Sequence, residues 1–306
     1  MLPALIGSEI FIFKIIGIIF MISTRASTEP SFNLRPPEYY FENPKTISLL
    51  DAALTGNTSK AKEWVQKGAD PNDEGPMISS YYRLRLLHYA IAAKNPDAVR
   101  TLLDVGADPE LAALGYGAAF QFAITLDDVT MMKFLLDLRP VPTLSKSILK
   151  KMMFHFVIQP RPACLDLLLN RGAPIDCTDN ADYTVMMRAM DAKDYDLAHW
   201  LVWRGASVKV EAHDGMTPAY SVQSHLNKYK VGSPAYEKVL RLKELMQARG
   251  AVFPPQSPEE VRAQWENRRG CENVSALARP AARIHNYPRP NSERLCPTLS
   301  RKSSSR

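Results

Sequence analysis

Residues 85–108 read RLLHYAIAAKNPDAVRTLLDVGAD: an apolar run, a break, a second apolar run rich in leucine, and a closing Gly-Ala-Asp. The same ending stands earlier in KGADPN, residues 67–72, and Gly-Ala pairs return at Gly172, Gly205 and Gly250. The intervals between these glycines are 38, 66, 33 and 45 residues. Because 66 is twice 33, one unit is hidden in the longest gap, with its terminator at position 139. There Arg139-Pro140 replaces Gly-Ala, behind an intact apolar run of Phe134, Leu135 and Leu136. Recurrence at a spacing of roughly 20–50 residues marks a repeat architecture, so six units are expected.

His88 stands 18 positions before Gly106, and the same offset lands on Leu50, Gln121, Phe154 and Met187 in four other units. In the sixth unit DGMTPAYSV, residues 214–222, places Tyr220 at that position but 30 residues before Gly250. The difference predicts a twelve-residue insertion between its two helices, around KYKVGSPAYEK. These motifs resemble the ankyrin repeat, whose pattern is TPLHxA, a short helix, a turn, a leucine-rich helix and Gly-Ala-Asp. The resemblance covers residues 46–253, about two thirds of the chain. It implies an all-α fold: an ankyrin-type helical repeat solenoid with short hairpin connections.

Each repeated residue type has a physical reason. The glycines follow an apolar helix, where a left-handed residue ends the helix and glycine adopts that conformation freely. Thr184 and Thr217 stand where a hydroxyl can accept a hydrogen bond from an unpaired helix N–H, and Pro218 suits the first helical position. The pairs Leu102-Leu103, Leu135-Leu136 and Leu168-Leu169 put one or both side chains on the face toward a neighbouring unit. A single unit cannot bury that face, so neighbours must stack. With arginine at its terminator the third unit is expected to end less regularly, and Arg139→Gly to leave stability unchanged or raise it.

The formal net charge is +6, but residues 271–306 carry seven Lys or Arg against two acids, which leaves the rest nearly neutral. That basic, Pro- and Ser-rich stretch without periodicity reads as a disordered tail, and nucleic acid is not expected as a partner. Residues 10–22, IFIFKIIGIIFMI, are apolar but interrupted by Lys14. They are shorter than the ~20 apolar residues of a spanning helix. The preferred reading is a signal peptide over residues 1–26, cleaved after Ala26, giving an exported, periplasmic or secreted protein. The alternatives are a membrane anchor formed by residues 1–23, or translation from Met21 and a cytoplasmic protein. Residues 27–45 contain four prolines and no helical period, and read as a linker. Residues 254–270 contain QSPEEVRAQWENRR, in which Ser257, Pro258 and Glu260 form a capping-box start. A helix over 258–268 is expected to cap the last repeat, with Val261 and Trp265 on one face.

The sequence contains no GxSxG, HExxH or phosphate-cradling glycine loop, and no catalytic residue, cofactor or metal site is expected. The histidines are scattered; His88 matches the repeat's structural histidine, and His155 and His199 fall within repeat helices. Cys164 and Cys177 form no CxxC pair, and nothing in their spacing establishes a bridge. The resemblance implies binding of a protein partner, of identity the sequence does not give, through hairpin tips and first helices along a concave face. From Gly68 to His88 is 20 residues, where the equivalent spacing in later units is 15, and the longer connection contains ISSYYRLR. Tyr81, Tyr82 and Arg83 are residue types enriched at interface hot spots. Tyr116 and Tyr183 lie in later connections, and His213 and Asp214 at the tip before the sixth helix pair. For Tyr81 and Tyr82 interface and packing roles both stand open, and for His213 and Asp214 so does ordinary turn chemistry. The expected species is a monomeric scaffold; the alternatives are a regulatory or inhibitory module holding an enzyme, and a secreted effector acting on host proteins.

Overall fold

The computed structural model describes residues 32–277, with side chains through residue 267. The proposed leader and residues 278–306 of the basic tail lie outside the described residues. Six helix pairs follow a short helix α1 (Pro37–Tyr40). They are α2 (Pro44–Leu54) with α3 (Thr58–Gln66), α4 (Leu86–Ala92) with α5 (Pro96–Asp104), and α6 (Ala119–Thr125) with α7 (Val129–Leu138). The later pairs are α8 (Lys146–Ile158) with α9 (Pro162–Asn170), α10 (Val185–Asp191) with α11 (Tyr195–Trp203), and α12 (Pro218–Lys228) with α13 (Pro234–Ala248). Helix α14 (Pro258–Leu277) closes the described chain. The fold is an all-α helical repeat solenoid. Among the described residues the only extended pairing is isolated bridges within hairpins, such as Ala113 with Gly117.

The described residues divide into two compact units. The first runs to Asp179 and includes Thr184–Ala206, so it holds α1–α11; the second comprises Asn180–Tyr183 and the chain from Ser207. In the first unit each first helix packs on the next one, α2 on α4, α4 on α6, α6 on α8 and α8 on α10, and the second helices α3, α5, α7 and α9 likewise pack each on the next. The residue two positions after that of His88 is buried in every repeat: Ala52, Ala90, Ala123, Phe156, Ala189 and Val222. Leu102, Leu135, Leu168 and Leu201, each four positions before a terminator, are fully buried as well. Stacking supplies the apolar surface that one pair lacks.

The terminators act as the sequence indicates. Gly68, Gly106, Gly172, Gly205 and Gly250 have φ of 89, 102, 90, 106 and 88°. The following alanine donates its N–H back into the helix, as from Ala107 to the Leu102 carbonyl (2.9 Å) and from Ala206 to Leu201 (2.9 Å). These bonds satisfy carbonyls that a helix end leaves unpaired. Arg139 departs from the pattern differently from the sequence expectation. Its φ is −131°, so no left-handed strain exists to be relieved by glycine. The helix runs one residue further, Arg139 N–H donates to the Leu135 carbonyl (2.8 Å), and a 3-10 turn (Val141–Thr143) follows. Beyond it α8 has 13 residues against 7 in α4. It begins early, at a Ser145 cap, and replaces most of a hairpin with helix.

The second helices have a cap that the sequence reading passed over. Asn57, Asn95, Asp128 and Asp194 each stand eleven positions before their terminator and accept from a backbone N–H three residues on. Asn95 also donates its amide to the Leu54 carbonyl at the end of α2 (3.0 Å), tying one repeat to the one before. The equivalent residue of the fourth repeat is Arg161, which keeps the backward tie, to Thr125 carbonyl (3.4 Å), without capping its own helix. The turn before these caps is left-handed, at Gly56 and at the non-glycine residues Lys94, Asp127 and Lys193.

In the second unit the twelve extra residues of the sixth repeat are not a loop. Helix α12 has 11 residues and α13 has 15, against 7 and 9 in α4 and α5, and Ser233 caps α13. Most of the insertion therefore lengthens helices. Helix α14 extends to Leu277, further than the sequence boundary at 268–270. Ser257 and Glu260 exchange the two bonds of a capping box. Trp265 Nε1 donates to Glu211 (2.6 Å), Arg262 bonds to the Asp214 carbonyl, and Val261 is buried. A Cβ at Gly215 would stand 2.3 Å from the Pro258 carbonyl, so glycine is required for this helix to lie against the sixth hairpin.

Residues 32–43, which the sequence reading gave to a linker, are part of the first unit. Tyr40 and Phe41 are buried, and the Tyr40 and Phe41 rings lie 5.7 and 6.3 Å from that of Tyr89 on α4. A Cβ at Gly75 would stand 1.9 Å from the Tyr40 carbonyl, which shows how closely the segment seats. Proline richness disfavours regular helix but does not prevent packing, and the segment's aromatic residues supply the area.

One kind of substitution should have opposite effects at two sites. Lys193→Gly removes a left-handed non-glycine residue and should stabilise the protein by about 0.5 kcal/mol, the steric relief exceeding the added unfolded-chain entropy. Arg139→Gly has only the entropic cost and should destabilise by about 1 kcal/mol. Chemical denaturation midpoints of the two variants check the signs.

Candidate functional site

The lengthened first connection folds back on itself and onto the second. Glu74 and Ser79 bridge to Arg85 and Tyr82, and Arg83 N–H donates to the Leu114 carbonyl (3.1 Å). Glu74 Oε1 accepts from Leu114 N–H (2.9 Å) while its other oxygen lies 3.4 Å from the Arg85 guanidinium, whose Nε donates to the Ala112 carbonyl (2.9 Å). The GADP motif explains a further joint. Asp70 closes its own turn by accepting from Asn72 N–H (2.8 Å), and Asn72 bonds both to the Gly106 carbonyl (3.0 Å) and to Asp108 N–H (2.7 Å). Glu110, at the matching place one repeat later, accepts from Ser145 N–H (2.9 Å). Successive hairpins are thus bonded into one edge.

Upon this edge stand the aromatic candidates. Tyr81 is 74% exposed and Tyr82 42% exposed. The Tyr82 ring lies 5.0 Å from that of Tyr116, itself half-buried, and Tyr116 lies 5.1 Å from Phe122 on α6. Gly115 has φ of 82°, and a Cβ there would meet the Tyr82 ring at 2.5 Å. Phe32 packs edge-on against Tyr116 and Phe122, at 6.0 and 5.6 Å. Burial pushes the Tyr116 hydroxyl above the usual tyrosine range. Tyr82 therefore has a packing contact and an exposed face together, whereas Tyr81 projects into solvent. Arg83 is half-buried.

Tyr183, His213 and Asp214 form a separate arrangement, within the second unit. Buried Tyr183 donates its hydroxyl to Asp214 (2.8 Å), and His213 Nδ1 lies 2.8 Å from the Ala181 carbonyl. Desolvation raises the Asp214 pKa, but bonds from Met216 N–H and the Tyr183 hydroxyl outweigh it and hold the carboxyl below its ordinary range. This is hairpin chemistry, binding one turn to the next.

Sequence reasoning missed Phe32, Glu74 and Arg85. The signal for the first was available: four aromatic residues, Phe32, Tyr39, Tyr40 and Phe41, within a supposed linker. Cys164 and Cys177 are free thiols, and burial raises their pKa to about 12 and about 11. His155 is half-buried, with Nε2 3.2 Å from the Thr125 hydroxyl. Among the described residues there is no group of three or more His, Cys, Asp or Glu that could hold a metal ion, and no helix long and apolar enough to cross a membrane.

The family model described as Ankyrin repeat matches residues 86–113. No curated protein sequence matches. Among solved structures, the ankyrin repeat domain of Bcl-3, described as a unique member of the IkappaB protein family, is similar with a TM-score of 0.52 and 21% identity. The match covers 69% of this chain and 90% of that one. An ankyrin repeat domain from Acinetobacter baumannii AYE has a TM-score of 0.46 at 15% identity, covering 67% of this chain and 98% of its own. At these identities the likeness concerns the fold.

Buried His88 couples the stability of the fold to pH. It is buried on α4 with Nε2 2.8 Å from the Gly117 carbonyl and its ring 5.3 Å from that of Phe122. Desolvation lowers its pKa from 6.5 to about 4, against the opposing bond to Gly117. The unfolded state then binds the proton more tightly, so stability is full above pH 6.5 and falls as pH drops toward 4. The shift is worth about 3 kcal/mol. Unfolding free energies measured across that interval should show this slope, and His88→Gln should flatten it.

Proposed function

Because the chain is an ankyrin-repeat protein, and ankyrin repeats are in general protein–protein interaction modules, we propose that it binds a protein partner through its first two hairpins and the adjoining first-helix surface. The observation that carries this reading is the cluster of exposed large apolar side chains on those hairpins: Met77, Tyr81 and Tyr82 from the first, Leu111 and Leu114 from the second. Apolar groups left facing water on hairpins bonded to one another are a better docking surface than single scattered ones. Tyr82, with its rotamer restrained by Tyr116, loses little entropy on binding. The role is that of a non-catalytic scaffold. A regulatory module holding an enzyme and a secreted effector acting on host proteins are narrower forms of the same activity, separated by which protein is bound.

Export belongs to the same proposal. The leader features of residues 1–26 support it, and cleavage after Ala26 leaves a mature chain beginning at Ser27 that retains every residue of the site. Sequencing the N-terminus of the mature protein should find Ser27 first; Met1 in a membrane fraction would identify the anchor instead.

Tyr81→Ala tests the surface. Its side chain is mostly exposed, so the change should leave stability within about 0.5 kcal/mol and weaken partner affinity by roughly 1–3 kcal/mol. Tyr82→Ala should lower both, because its ring also packs on Tyr116. Thermal unfolding and calorimetric affinity for a partner captured by the unaltered chain, measured on the same samples, decide the matter. Unchanged affinity in both variants would remove this face from consideration.

A further inference from the structure

The N-terminal segment has two parts with different attachment. Residues 37–41 are seated for good: Tyr40 and Phe41 are buried, and the backbone meets Gly75 closely. Residues 32–36 are held lightly. They form no helix; Phe32 and Leu34 are half-buried, while Asn33, Arg35 and Pro36 are exposed. A hydrogen bond from the Tyr89 hydroxyl to the Arg35 carbonyl (3.0 Å) links this stretch to the repeats, and Arg35 N–H turns back to the Tyr40 hydroxyl (3.1 Å). Pro36-Pro37 stands at the junction of the two parts.

Phe32 nonetheless occupies a formed pocket. Tyr116 and Phe122 present their rings to it edge-on, at interplanar angles of 69 and 90°. These walls are positioned by other contacts. Tyr116 is fixed by the Ala113–Gly117 bridge and by the Tyr82 ring, and Phe122 lies fully buried on α6 against His88. The position that follows that of His88 carries tyrosine or phenylalanine only in the second and third repeats, Tyr89 and Phe122, and these are the two the segment touches. The other repeats carry Asp51, His155, Arg188 and Ser221 there. The aromatic wall and the segment's aromatic residues are matched in place.

We propose that the pocket of Tyr116 and Phe122, with Tyr82 backing the Tyr116 ring, recognises a phenylalanine in an extended peptide, and that Phe32 is its resident, exchangeable occupant. A protein partner then engages by presenting an extended Phe-x-Leu segment that takes the place of Phe32 and Leu34. The exchange exposes little new surface, because one aromatic ring replaces another. A tethered occupant has an effective concentration near the millimolar range, so a partner competes when its concentration relative to its dissociation constant exceeds that of tethered Phe32. The inference rests on the hairpin face being a binding surface, and it specifies what part of a partner enters.

The test uses the full chain and a labelled synthetic peptide, STEPSFNLRP, the sequence of residues 27–36. Phe32→Ala should bind the peptide about tenfold or more tightly than the unaltered chain, since the competing occupant is gone. A peptide with alanine for phenylalanine should not bind, and Tyr116→Ala in the Phe32→Ala chain should abolish binding. Equal affinity for both chains, or binding to neither, overturns the proposal. So does a fall of more than about 4 °C in the melting temperature of Phe32→Ala, which would make the ring part of the core. Should the peptide fail while Tyr81→Ala still weakens partner capture, the hairpin surface stands and the exchangeable pocket does not.

Discussion

Each helix pair has an apolar flank that it cannot cover itself, and the turn that closes the pair must return the chain so that the next flank meets it. The left-handed glycine does this. With φ near 90–105° at five terminators, the chain reverses within two residues, and the alanine behind it bonds back into the helix just ended. Everything else follows from the regularity so obtained. The Ala-rich positions of the first helices come into contact, the amide of Asn95 meets the end of α2, and Asn72 reaches Gly106. Where the glycine is missing the register is recovered by other means: an extra helical residue, a 3-10 turn, and an early start to α8. The stack accommodates a substituted hinge while Leu135, ahead of it, stays fully buried in its row.

The edge formed by the hairpins is ordered by polar groups and presents apolar ones to solvent. Glu74 and Arg85 satisfy backbone groups of the second connection and are themselves shielded on that edge. This leaves the tyrosines free of structural hydrogen bonding duties on their outer faces. A rigid polar framework presenting aromatic rings suits recognition, since the rings lose little freedom when a partner covers them. The Tyr183–Asp214 pair uses the same vocabulary inward, for holding one hairpin to another.

Much of this was legible in the sequence. The period of 33, the offset of His88 from Gly106 and the capping residues Thr184, Thr217 and Ser257 located the helices, because local chemistry fixes helix ends. Arg139 was recognised as a departure, but its conformation was not, since a residue that avoids the left-handed region can be accommodated by lengthening the helix or by strain. The insertion near residues 228–238 was placed between the two helices; that it extends α12 and α13 is invisible to a spacing argument. The caps at Asn57, Asn95, Asp128 and Asp194 were present at a constant offset and went unread. Phe32 went unread for a different reason: the four aromatic residues of its segment announced burial, but its partners lie on another part of the chain and no periodicity says which they are.

That last contact has a consequence for the order in which the protein forms. Contacts within the repeat array join residues about one repeat apart, the kind of local topology that assembles rapidly. Phe32 and Phe122 are ninety positions apart, so their meeting requires three repeats already in place. Residues 32–36 therefore dock only after the third repeat has formed. In hydrogen exchange the amides of residues 32–35 should belong to a shallow class of openings, distinct from the deep class of α4 and α6. A chain emerging from a translocation pore N-terminus first would carry this segment undocked until the third repeat followed it.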